Sequence, residues 1–251
     1  MGKNSSQNPA QTHRTTIIRS AREALRQNQL AQVVRALTPL LTASPPDAEA
    51  LYIAGLVAER QLRPDDAIQL ARQSLATMSH PDTLRLLASS LRKAGDLQEA
   101  IRVCDQLLAV RPNSKEALAI KSDALQESGE LDTAEALLDK LEAAFQTEGQ
   151  ETHPSVIETR ARLRIQQGRF DEAAELCDSL IHRKDIAPVL ARLAYFTKAK
   201  ACDRAGRYPD AFDAATNANQ IGNPFFDPAS YESSITNIIK HWSGERFDKY
   251  P

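Results

Sequence analysis

The sequence predicts an all-α protein, a solenoid of about six helix-turn-helix units closed by a C-terminal helix, and three observations predict it. Aromatic residues make up only 5% of a 251-residue chain rich in Ala and Leu, which favours helices packed through small side chains over a β-rich core. The segments GDLQEA, GELDTA, GRFDEA and GRYPDA, at 95–100, 129–134, 168–173 and 206–211, are one turn written four times. Upstream of each stands a large residue followed four positions later by a small one: Leu84 and Ala88, Leu118 and Ser122, Ile157 and Ala161, Tyr195 and Ala199.

The units begin near 14, 48, 81, 115, 154 and 192. The first two are degenerate, with Ile17, Ala21, Leu30 and Val33 marking one and Leu51, Gly55 and Ala67 the other. Asn28 and Leu62 stand where the turn glycine belongs, and Pro64 takes the aromatic position. Spacings of 34, 33 and 34 residues lengthen to 39 and 38 where insertions such as QTEGQETH, 146–153, follow the second helix. Glycine at the turn supplies a positive φ that ends each first helix, while Asp47, His80-Pro81, Asn113-Ser114 and His153-Pro154 start new ones. Small residues such as Ala88, Ala100, Ala161 and Ala173 let paired helices approach closely, and no unit buries its apolar face without a neighbour.

This pattern resembles the tetratricopeptide repeat (TPR): large at position 4, small at 8, glycine at 15, Leu, Phe or Tyr at 17, Ala at 20 and Pro at 32. The resemblance covers about residues 14–225. It implies a right-handed α-solenoid of about six TPR-like units, acting as a protein-protein interaction scaffold. Residues 1–13 read as a disordered polar leader, and 226–251 as a capping helix and aromatic tail, a possible junction to a further domain.

A formal charge of −2 gives no concentrated basic surface for nucleic acid. There is no apolar signal segment and no run of about 18 apolar residues for a membrane span, so a cytoplasmic chain is expected. Cys104, Cys177 and Cys202 lack C-x-x-C spacing, which argues against zinc or a disulfide framework; they fall at core positions 24, 24 and 11. The five histidines, His13, His80, His153, His182 and His241, form no metal-ligand spacing, and no phosphate-cradling glycine loop occurs. Neither catalytic residues nor cofactor or metal ligands are expected.

What a solenoid offers is its concave surface, lined by first-helix positions 2, 5, 9 and 12. The candidate groove residues are Arg22, Tyr52, Arg85, Ser89, Arg92, Asp123, Arg162, Phe196 and Lys200, with Leu56 and Glu158 in the same rows. The arginines suit carboxylates of an extended or helical protein segment. Tetratricopeptide domains that grip chaperone C-termini carry Lys and Asn at positions 5 and 9 of the first unit; Ile18 and Arg22 here disfavour that partner class.

Asp227-Pro228 opens a segment in which Tyr231, Ile235, Ile238, Ile239 and Trp242 share one helix face, suited to covering the last repeat. Six of the 13 aromatics lie in the last 27 residues, more apolar surface than a cap needs. Phe225, Phe226, Trp242, Phe247 and Tyr250 are therefore candidates for a domain or self contact. GRYPDAFDAATNAN, 206–219, with the DP-initiated helix and aromatic segment after it, resembles the junction in bacterial TPR-containing sulfotransferases, whose catalytic domain opens with a strand and a P-R-S-G-[ST] loop for PAPS. That loop is absent here, so no catalytic residue of that family transfers.

Overall fold

The computed structural model describes residues 9–184 and 186–221, together with positions 232, 235 and 236. Among them are twelve α-helices and no strand. The chain divides into two compact units between Val156 and Ile157.

In the first unit, α1 (Pro9–Arg26), α2 (Leu30–Leu41), α3 (Ala48–Arg60), α4 (Pro64–Thr77), α5 (Pro81–Ala94), α6 (Leu97–Val110), α7 (Lys115–Ser128) and α8 (Leu131–Thr147) pack in chain order, each on the next. The second holds most of α9 (Pro154–Gln166), with α10 (Phe170–Ile181), α11 (Pro188–Arg204) and α12 (Tyr208–Gln220). Helix starts follow the expected caps. Asp47 accepts hydrogen bonds from the backbone N–H groups of Glu49 and Ala50 at 3.0 and 2.9 Å, Ser114 Oγ from that of Ala117, and His80 Nδ1 from that of Asp82. Two helices differ from expectation. Residues 9–13, part of the expected leader, are helical in α1, and α11 begins at Pro188, four residues ahead of 192, because Pro suits the first helical position. The expected capping segment and its aromatics Phe225, Phe226, Trp242, Phe247 and Tyr250 lie outside the described residues.

The small residues sit where the register placed them. Ala21, Ala67, Ala88, Ala100, Ala134, Ala161 and Ala173 are fully buried. Ala88 and Ala100 share one cluster with Leu84, Leu87, Leu91 and Cys104. All three cysteines are free, buried thiols; burial pushes Cys104 and Cys177 up to about 12, and Cys202 up as well, so they behave as core residues.

The turns of the two degenerate repeats keep the geometry without the glycine. Gly95, Gly129, Gly168 and Gly206 have φ between 77 and 87°, and Asn28 and Leu62 take φ of 56 and 57° at the same place. Asn tolerates this region, whereas a branched side chain there is strained by about 1–2 kcal/mol. Leu62 is 83% exposed and contributes little packing in return. Leu62→Gly is therefore expected to stabilise the protein by about 0.5 kcal/mol, the strain relief exceeding glycine's extra unfolded-state entropy, while Leu62→Ala changes little. Urea melts of the three proteins check the order.

Candidate functional site

The first helices carry the candidate groove residues, and several of them meet carboxylates of the chain. In the first unit, Arg22 meets Glu49 of the following repeat at 2.9 Å. Arg14, which the sequence did not single out, meets Asp47 at 2.5 Å and Glu49 at 3.1 Å. Burial pushes the Asp47 carboxyl up, but Arg14 and the backbone N–H groups of Ala50 and Glu49 outweigh it and hold it below its ordinary value. Ser89 Oγ and Lys93 Nζ both donate to Glu59 Oε1 at 2.8 Å. Glu59 is likewise pushed up by burial and drawn down further by Lys93 and Ser89, with Arg85 nearby, so it stays ionised below the usual carboxylate range. Arg92 reaches Glu127 at 2.6 Å and Asp123 at 3.9 Å. The second unit repeats the theme: buried Glu158 accepts from Thr197 Oγ1 at 3.0 Å and from Arg162 Nε at 3.0 Å.

In the first unit these are charge pairs between successive first helices; in the second the pair of Arg162 with Glu158 lies within α9, and Thr197 of α11 reaches Glu158 by a hydrogen bond. These contacts alter the expected chemistry, since Arg22, Arg92 and Arg162 already meet carboxylates of their own chain. A partner's carboxylate would have to displace these contacts; the partly exposed pairs of Arg22 and Arg92 are worth only about 0–1 kcal/mol each, while Glu158 is buried. The carboxylates of Glu49 and Glu59 were the missing half of the sequence reading, and Glu127, which reads in sequence as part of a solvated helix face, pairs with Arg92. Their signal was present as Glu at positions 2, 12 and 13 opposite a basic residue in the neighbouring repeat.

Tyr52 is half-buried and packs against two core clusters. With Arg22, Glu49, Met78, His80 and Thr83 it lines a cavity of about 170 Å³. A cleft of about 350 Å³ lies beside the 146–153 insertion, where Lys115 Nζ stands 4.2 Å from the Phe145 ring centroid and bonds to Glu148 and Gln150.

On α11 groove positions 2 and 5 are apolar. Phe196 is 38% exposed, with Arg192 5.5 Å from its ring centroid. Val189 and Leu193, which the sequence reading passed over, are 82% and 43% exposed on the same face at i−7 and i−3. Lys200, one turn on, is exposed. Among the described residues no cluster of His, Cys, Asp or Glu could hold a metal ion, and no helix is long and apolar enough to cross a membrane.

Comparison with known proteins agrees with the fold. Family models described as tetratricopeptide repeat match residues 18–79, 91–153 and 159–224. A tetratricopeptide repeat protein from Parabacteroides merdae is similar in structure, with a TM-score of 0.68, 18% identity, and coverage of 85% of this chain and 81% of that one. PilW, a type IV pilus biogenesis factor, gives 0.70, 17%, 84% and 94%. YrrB, a TPR protein with an unusual peptide-binding site, gives 0.53, 18%, 80% and 90%. No curated protein matches the sequence. With repeat models spanning most of its length and the repeat's helices, turns and small-residue contacts all in place, the chain belongs to the tetratricopeptide-repeat family.

Proposed function

We propose that this chain is a non-catalytic, cytoplasmic interaction scaffold whose first-helix face receives an extended or helical segment of a partner protein. We further propose that Val189, Leu193 and Phe196 are its apolar anchors. The observation that carries this reading is the apolar surface of α11. Val189, Leu193 and Phe196 are exposed on one face of that helix, whereas Arg22, Arg92 and Arg162 each already meet a carboxylate of the chain. Exposed apolar stripes of this kind mark interaction sites, and aromatic anchors dominate their energetics. A peptide-binding site in a similar fold, that of YrrB, supports the class of partner.

The test is a peptide library selected on the wild-type chain, followed by affinity measurements on two variants. Leu193→Glu with Phe196→Glu is expected to weaken the selected peptides at least tenfold, about 1.4 kcal/mol. Arg85, Arg92 and Arg162 changed together to Glu should change affinity less than the apolar pair. A larger loss from the arginine set would return recognition to the charges, and no effect from either would move the site elsewhere.

A second reading keeps the chain as the N-terminal repeat region of a PAPS-dependent sulfotransferase. It rests on the motif at 206–219, and the exposure of Tyr208 and Phe212 within that motif favours it, since a following domain could cover them. A reading frame that continues past Pro251 into an apolar strand and P-R-S-G-T would establish it; an immediate stop would end it.

A further inference from the structure

The crevices between successive first helices of the first unit repeat one layout. Between α3 and α5, Glu49 stands at position 2, Tyr52 at 5 and Met78 at 31, with His80 just ahead of α5 and Thr83 at its position 3; together they line the cavity of about 170 Å³. Two repeats on, Glu116, Ala119, Phe145, His153 and Val156 fill the same places around the cleft of about 350 Å³. The crevice between these two is bridged by an ion pair: its position 31 is Arg111, which meets Asp82 at position 2 across 3.2 Å. Met78 and Phe145 cannot make that bond, and Lys115 Nζ, tied to Glu148 and Gln150, stands 4.2 Å from the Phe145 ring centroid and steadies the floor of the larger cleft.

Arg85, at position 5 of α5, lies between the two unbridged crevices. It is half-buried and, among the described residues, forms no ion pair, unlike Arg22, Arg92 and Arg162; its charge acts on Glu59 without one. Packed helices lie about 8–10 Å apart, so the two steps from α3 through α5 to α7 separate the crevices by about 16–20 Å. At about 3.3 Å per residue an extended chain covers that distance in about six residues, and its residues i, i+2, i+4 and i+6 share one face.

From this spacing and charge we infer that the first unit binds an extended partner segment that seats an aliphatic side chain against Met78 and Tyr52, an aromatic one six residues away against Phe145, and a carboxylate between them on Arg85. The smaller cavity suits the aliphatic group, and the larger one, floored by an aromatic ring, suits the aromatic group. The unpaired Arg85 takes the carboxylate without displacing one of the chain's own. The inference rests on the reading that the first-helix face receives a partner segment, but its site is separate from the anchors on α11.

The probes are two heptapeptides labelled at the amino terminus, Leu-Ser-Asp-Ser-Asp-Ser-Phe and its reversal, because the crevices do not fix the direction of the chain; affinity is read by fluorescence anisotropy on the full-length protein. At least one is expected to bind, and replacing its Leu or its Phe by Ser, or removing the two central residues, should weaken it at least about tenfold. Met78→Arg and Phe145→Arg each copy Arg111, opposite Glu49 and Glu116, and should also weaken it at least about tenfold while circular dichroism stays near wild type. Arg85→Gln is expected to abolish a preference of about threefold for the Asp peptide over its Asn counterpart. Leu193→Glu with Phe196→Glu should leave binding within about twofold. No binding of either peptide, full affinity of the Ser-substituted or shortened peptides, wild-type affinity in Met78→Arg or Phe145→Arg, or an Asp preference that survives Arg85→Gln overturns the inference. A loss confined to the α11 variant overturns it as well, and leaves the anchors on α11 standing.

Discussion

Ala100→Glu is expected to cost about 4 kcal/mol and to melt the third repeat together with its neighbours. Ala100 is fully buried at position 20, in the cluster where α5 and α6 touch through Ala88, Leu84, Leu91 and Cys104. A carboxylate there loses its hydration without gaining a cation or donor, and the side chain adds volume where the two helices are closest. Because repeat stability is a sum over units and their interfaces, the damage reaches α4 and α7, which pack on that pair. Gln98→Glu, two residues away on the exposed face of the same helix, adds the same charge and should move stability by no more than about 0.5 kcal/mol. Urea denaturation followed by circular dichroism separates the two. Equal midpoints would mean that Ala100 is not at a helix contact.

The parts of this fold legible in the sequence were those fixed by local backbone chemistry and by helix spacing. A turn that needs positive φ leaves a glycine, so Gly95, Gly129, Gly168 and Gly206 announced four turns outright. Contacts that need close approach leave alanines, which placed α5 to α12 in register. At Asn28 and Leu62 the repeat spacing alone placed the turn, because the fold imposes the same left-handed conformation on residues that do not advertise it. The helix over residues 9–13 was obscured by the polar residues ahead of the apolar stripe, which read equally well as solvated chain. Most of the candidate site was less legible. That Arg22 meets Glu49, or that Glu59 holds Ser89 and Lys93, depends on the distance between successive first helices, and repeat periodicity alone does not give it. Phe196 was visible as a large residue in a groove row. Leu193 stood at groove position 2 and was passed over, and Val189 gained its meaning only once α11 was seen to start at Pro188.

The small position of the second repeat makes the sharpest test of close packing, since it is the one filled by glycine. A Cβ at Gly55 would stand 2.8 Å from Leu86 Cδ2, 3.6 Å from Leu70 Cβ and 3.7 Å from the Ala67 carbonyl oxygen. Leu86 is itself fully buried, so its methyl group has little room to retreat. Gly55→Ala sets two effects of similar size against each other: about 1 kcal/mol gained from helix propensity and a comparable loss from displacing Leu86. The expected net change is close to zero. Gly55→Leu keeps the propensity gain but must lodge three further carbons between α3, α4 and α5, at a cost of about 3 kcal/mol as the helices are pushed apart. Thermal or urea melts should therefore rank wild type and Gly55→Ala together, with Gly55→Leu well below. If Gly55→Leu melted with the other two, α3 would not be held at contact distance from its neighbours, and small side chains would not be what sets the spacing of these repeats.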